Sequence, residues 1–84
     1  MDKIEFDYSR LRGRIKEICG TQDAYADKIH LGRVSVSQRL NNSLEFSQLE
    51  MLNSAEVLNF TTAEIPQYFF VRKVQKSERK KEFK

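Results

Sequence analysis

Apolar residues recur at three- and four-residue spacing along most of the first 70 positions, the period of helices that each bury one side. Tyr8, Leu11, Ile15 and Ile18 make the first such stripe, with Asp7 placed to cap it and Phe6 where a hydrophobic staple would meet Leu11. Gly20 can end this helix in the left-handed conformation at no steric cost, and Thr21 can cap the next through its hydroxyl. Cys19, beside the stripe, reads as a small core hydrophobe. The stretch TQDAYADKIHLGRVSVSQRLNN, residues 21–42, then reads as two short helices around a tight turn. Tyr25, Ala26 and Ile29 face inward from the first, Leu31 plugs the turn, and Val36 and Leu40 face inward from the second.

Asn41, Asn42 and Ser43 form a turn, after which Ser47 and Glu50 stand three apart as a capping box. They open a fourth helix to about residue 58, whose expected inward residues are Leu49, Leu52, Ala55 and Leu58. Thr61 and Glu64 repeat the box and predict a short fifth helix over 62–68. Ile65 with Tyr68 or Phe69 would complete the core, and Pro66 is tolerated in the first turns, where amides lack helical partners. The pattern predicts an all-α chain of five helices forming a helix-turn-helix domain over residues 1–70, with the motif at 21–42 and a tail at 71–84.

Laid out in this way, residues 8–70 resemble the five-helix DNA-binding domain of the Cro and phage-repressor (lambda-repressor-like) superfamily. The family's pattern of glutamine, apolar, alanine, apolar, turn and recognition helix is matched by Gln22, Tyr25, Ala26, Ile29, His30 and Leu31, followed by Gly32-Arg33-Val34-Ser35-Val36-Ser37. FDYSRLRGRI, GTQDAYA and EIPQYFF are similar to segments of small Cro-like proteins of phages and prophages of Gram-positive bacteria. Two positions depart from the pattern. His30 stands where glycine is usual, which costs about 1–2 kcal/mol if the backbone there is left-handed. Arg39 replaces a usually apolar residue, so its stem is expected along the surface and its guanidinium free for phosphate.

The resemblance implies roles for particular side chains. Arg33, Val34, Ser37 and Gln38 would face base edges in the major groove, with Arg33 on guanine, Gln38 on adenine and Val34 on a thymine methyl group. Gln22, Arg39 and Asn41 would contact the sugar-phosphate backbone. The implied activity is a sequence-specific transcriptional regulator, a Cro-like phage repressor in a lysis-lysogeny switch, with double-stranded operator DNA as its partner.

Charge qualifies that expectation. Of the 15 basic residues, seven fall in 71–84 against two glutamates, so the tail carries +5 and residues 1–70 carry −2. A DNA-binding core is usually basic. The deficit supports a rival reading, in which the chain is an antirepressor or modulator that binds a partner repressor and masks its recognition helix. A third reading is an excisionase-like architectural factor. The basic tail is expected to be disordered when free and to supply non-specific DNA affinity. Phe69, Phe70, Val71 and Val74 offer an apolar surface for a weak homodimer.

Other chemistry is excluded by counting. One histidine and one cysteine make neither a metal site nor a catalytic pair, and the carboxylates are scattered, so no enzyme, cofactor or metal is expected. A lone cysteine gives no internal disulfide, and no apolar run reaches the roughly 20 residues of a membrane span. These features predict a cytoplasmic protein.

Overall fold

The computed structural model describes residues 4–73. The expectations for the tail beyond them, and for Val74 in a dimer contact, lie outside the described residues. Among the described residues the architecture is all-α, with five helices: α1 (Ser9–Cys19), α2 (Gln22–Lys28), α3 (Arg33–Leu40), α4 (Gln48–Leu58) and α5 (Ile65–Phe69). One turn of 3₁₀ helix, Thr62–Glu64, leads into α5. Among the described residues there is no strand, only an isolated antiparallel bridge between Phe6 and Arg72.

Local chemistry accounts for each boundary. The Asp7 carboxylate accepts from the hydroxyl and the backbone amide of Ser9 at the start of α1, contacts that hold this carboxyl below its usual range. Gly20, at φ 86°, turns back to donate to the Ile15 and Lys16 carbonyls. Thr21 caps α2 by accepting from Ala24 N at 3.0 Å. His30 adopts φ 61°, the left-handed conformation that the family pattern assigns to glycine, and the Leu31 amide closes the turn on Ala26 O at 3.0 Å. Both capping boxes form: Ser47 with Glu50, and Thr61 with Glu64.

A single core joins the helices. Tyr8, Leu11 and Ile15 of the first stripe, Tyr25, Ala26, Ile29, Val36 and Leu40 of the two-helix unit, and Ala55, Leu58 and Phe69 are buried together. Phe46 and Phe60, absent from the predicted core, bridge the helices: Phe46 meets Tyr8 at 5.5 Å and Phe69 at 4.9 Å, both edge-on. Phe60 stacks on Tyr68 at 4.2 Å. Such pairs are each worth about 0.5–1.5 kcal/mol beyond their burial. Cys19 is half-buried against this core, and burial pushes its thiol up, as befits a packing residue.

The phase of α4 differs from the prediction. Leu49 is 66% exposed and Leu52 48% exposed, whereas Ser54 is fully buried beside Ala55 and Leu58. At about 100° per residue, the nine steps from Leu49 to Leu58 turn the helix about 900°, half a turn beyond two, so the two leucines cannot share a side. A polar contact fixes the actual phase. The Tyr25 hydroxyl meets Ser54 Oγ at 2.6 Å, and Ser54 Oγ donates to Glu50 O at 2.8 Å. Ile18 is likewise exposed at the end of its stripe. Phe69 is 2% exposed and cannot join the expected dimer contact, although Phe70 and Val71 remain at the surface.

Candidate functional site

The α2–α3 unit is held from behind by one arginine of α1. Arg12 donates to Gln22 Oε1 at 3.4 Å, to Leu40 O at 3.1 Å and to Asn41 Oδ1 at 3.1 Å, joining the start of α2 to the end of α3. A cation at the C-terminal end of α3 also complements its dipole. Gln22 and Asn41, expected at a sugar-phosphate backbone, are thus brought together on Arg12, and Asn41 Nδ2 also reaches Ser37 Oγ at 3.3 Å. Arg14 does a similar job at the end of α4, donating to Leu58 O at 2.8 Å and Asn59 O at 3.0 Å.

Arg39 overturns one expectation directly. Its guanidinium is not free: Nε and Nη2 make a bidentate pair with the Glu50 carboxylate at 2.9 and 3.2 Å, and Nη1 donates to Ser35 O at 2.9 Å. Both side chains are only 16% exposed, so the pair is an internal tie between α3 and α4. The apolar residue usual at this position would pack there; here a salt bridge occupies the same space. Glu50 Oε1 also accepts from Ser47 N at 2.9 Å, which makes one carboxylate both a helix cap and an interhelical contact.

At the other end of α3, Arg33 lies between two aspartates of α2. Its Nη1 is 3.6 Å from Asp23 and its Nη2 4.0 Å from Asp27, with all three side chains more than half exposed. Val34 is 71% exposed, Gln38 is exposed and Ser37 half-buried. The four residues expected to read bases therefore do lie on the outward part of α3, where the one cation among them, Arg33, stands exposed at ion-pair distance from two carboxylates of α2. Residues that sequence reasoning missed are Arg12, Asp23, Asp27 and Glu50. Their partners stand between 6 and 29 positions away, beyond the reach of helical periodicity.

The groove between the N-terminal segment and the α3–α4 turn is the other notable surface. It has a volume of about 370 Å³ and is lined by Ile4, Phe6, Tyr8, Asn42 and Leu44 among others. Asn42, itself at φ 67°, pairs its side-chain amide with Phe6 as a strand would: Phe6 N donates to Oδ1 at 2.9 Å, and Nδ2 donates to Phe6 O at 3.0 Å. On the far side of that segment, Asp7 N donates to Val71 O at 2.6 Å and Lys73 N to Glu5 O at 2.9 Å. Among the described residues no cluster of three or more His, Cys, Asp or Glu could hold a metal ion, and no helix is long and apolar enough to cross a membrane.

The sequence profile of a family described as protein of unknown function (DUF739) matches residues 4–72. The chain belongs to the DUF739 family. This DUF739 chain is also similar to a solved structure, the solution structure of the modulator of repression (MOR) of the temperate bacteriophage TP901-1 from Lactococcus lactis. The two are 40% identical, the match covers 83% of this chain and 95% of that one, and the TM-score is 0.71. No curated protein matches. The assignment to the Cro and phage-repressor superfamily is therefore corrected, because the matches are to DUF739 and to a modulator of repression. The main functional expectation, a DNA-binding Cro-like repressor, falls with it. FDYSRLRGRI, GTQDAYA and EIPQYFF all lie within the DUF739 match, so the segments that suggested Cro-like proteins fall inside this other family's match.

Proposed function

We propose that this chain is a modulator of repression from a phage or prophage, which acts by binding a repressor protein and covering its DNA-reading helix. The similarity to the TP901-1 modulator over nearly all of that protein's length carries the reading. The electrostatics agree with it: of the two cations of α3, Arg39 is tied up internally by Glu50, and the exposed Arg33 stands between Asp23 and Asp27, whose carboxylates would meet phosphate with like charge. A helix docked against phosphates needs its cations available. The partner works on DNA, so the site of action is the bacterial cytoplasm, and the activity is a binding equilibrium with no catalytic step.

A gel-shift titration tests this. Operator DNA held by the repressor of the same phage or prophage should be released as the chain is added, while the chain alone leaves the DNA unshifted. A sequence-specific shift by the chain alone, with no effect on the repressor, would overturn the proposal.

A further inference from the structure

One side of α1, the turn after it and the end of α3 enclose two depressions that adjoin the N-terminal groove. The first, of about 150 Å³, is lined by Arg12, Lys16, Thr21, Gln22 and Leu40 among others. The second, of about 240 Å³, shares Arg12 and Leu40 with the first and adds Asp7, Asn41 and Lys73. It shares Phe6, Tyr8 and Asn42 with the groove, which has no lining residue in common with the first depression. The three therefore follow one another as a trough, and its chemistry changes from end to end. Two cations and no carboxylate line the first depression. In the second, Lys73 is 3.6 Å from Glu5, and the Asp7 carboxylate is taken by Ser9. The groove has Glu45 as its only charged lining residue and presents Ile4, Phe6 and Leu44, with Ile4 and Leu44 exposed.

Arg12 and Lys16 stand one turn apart on α1, both exposed, and among the described residues no carboxylate is within ion-pair distance of either. The hydrogen bonds of Arg12 go to neutral oxygens of Gln22, Leu40 and Asn41, so the guanidinium is held in place while its charge stays uncompensated. We infer that this trough binds an acidic segment of the repressor, whose carboxylates lie on Arg12 and Lys16 and whose neighbouring apolar side chain fills the groove beside Phe6 and Leu44. The inference rests on the function proposed above and names the kind of segment by which the repressor is held. The two ends together select the occupant. The C-terminal residues of this chain, its own or a second copy's, carry seven Lys or Arg against two Glu over 71–84, the wrong sign for the cationic end. DNA has the right sign there, but at the other end its phosphates would meet apolar side chains and Glu45. A polypeptide can put carboxylates and an apolar side chain on one short segment, and a carboxylate on a guanidinium already in place makes a charge-assisted hydrogen bond.

The test measures affinity for the full-length repressor of the same phage or prophage, by calorimetry on purified proteins. Lys16→Glu reverses a charge at the cationic end and should weaken binding at least about 10-fold, and Leu44→Asp at the apolar end should weaken it about 5- to 10-fold. Both positions are exposed, so the thermal melts should hold to within a few degrees of wild type. Lys16→Gln, which removes the charge without reversing it, should fall between wild type and Lys16→Glu. Lys28→Glu makes the same reversal on an exposed residue outside the trough and should change affinity by less than about 2-fold, because salt screens distant charges. Wild-type affinity in either Lys16→Glu or Leu44→Asp would overturn the trough while the proposed function stood. An equal loss in Lys28→Glu would reduce the effect to net charge and overturn it likewise. Substitutions that alter only self-association in sedimentation, or only binding to operator duplex, would assign the trough to a second copy or to DNA instead. A wild-type chain that does not bind the repressor would remove both this inference and the function on which it rests.

Discussion

Replacing Arg39 with alanine should destabilise the fold rather than remove a ligand contact, and the structure sets the scale. The substitution deletes three hydrogen bonds of 2.9, 2.9 and 3.2 Å and leaves the Glu50 carboxylate, at 16% exposure, without its counter-ion. Breaking a fully buried pair in this way costs about 3–5 kcal/mol. Water reaches part of this one, and Glu50 keeps the Ser47 amide, so the expected loss is about 2–3 kcal/mol. For a domain of this size each kcal/mol moves Tm by about 4–8 °C, which gives a fall of about 8–24 °C, readable by circular dichroism or as a lower urea midpoint. Combining Arg39→Met with Glu50→Gln should recover at least half of the loss, because no orphaned charge remains and the amide still caps α4. A melt of Arg39→Ala within about 2 °C of wild type would refute the reasoning and return the guanidinium to the surface.

Burial, opposed in part by the Ser54 contact and reinforced by the Glu50 carboxylate, pushes the Tyr25 hydroxyl up to about 12, so the native state holds its proton where the unfolded chain, near 10, has lost it. Stability should be full below pH 10 and fall by about 2–3 kcal/mol as pH rises from 10 to 12, a loss that Tyr25→Phe abolishes; equal pH slopes in the two proteins would contradict this. His30→Gly should raise the urea midpoint by up to about 1 kcal/mol of stability, since φ 61° strains any side chain there, and a lower midpoint would show that the imidazole packs usefully. Leu58→Ala should cost about 2–5 kcal/mol and Leu49→Gln less than about 0.5 kcal/mol, the reverse of equal membership in one buried face. Val36→Asp, at a fully buried site, should leave no cooperative melt.

What could be read from the sequence was whatever chemistry acts within a few residues. Gly20, Thr21, the two capping boxes and the left-handed His30 all depend on neighbours at most a turn or so away, and each appears where expected. The α4 face failed because a leucine every three residues looks like a stripe but drifts around the helix, and because the residue that sets the phase, Ser54, is polar. Its burial depends on Tyr25, 29 positions earlier. Phe46 and Phe60 sit in connections, where periodicity carries no information. At the candidate site the outward residues of α3 were legible, but their electrostatic state was not. Whether Arg33 and Arg39 are available is decided by Asp23, Asp27 and Glu50 on other helices. The −2 of the first 70 residues was the one sequence feature that weighed against nucleic acid, and it was a sum without positions.

Arg12 has a bearing on how fast a partner can be captured. By tying the first residue of α2 to the last carbonyl of α3, it completes the helix pair before any partner arrives, and Arg39 fixes α4 against the same pair. A helix pair already in place leaves less backbone entropy to lose on docking. Capture should proceed in one step, at the about 10⁵–10⁷ M⁻¹s⁻¹ of preorganised surfaces and faster at low salt, so that differences in affinity among repressors would show as differences in the lifetime of the complex.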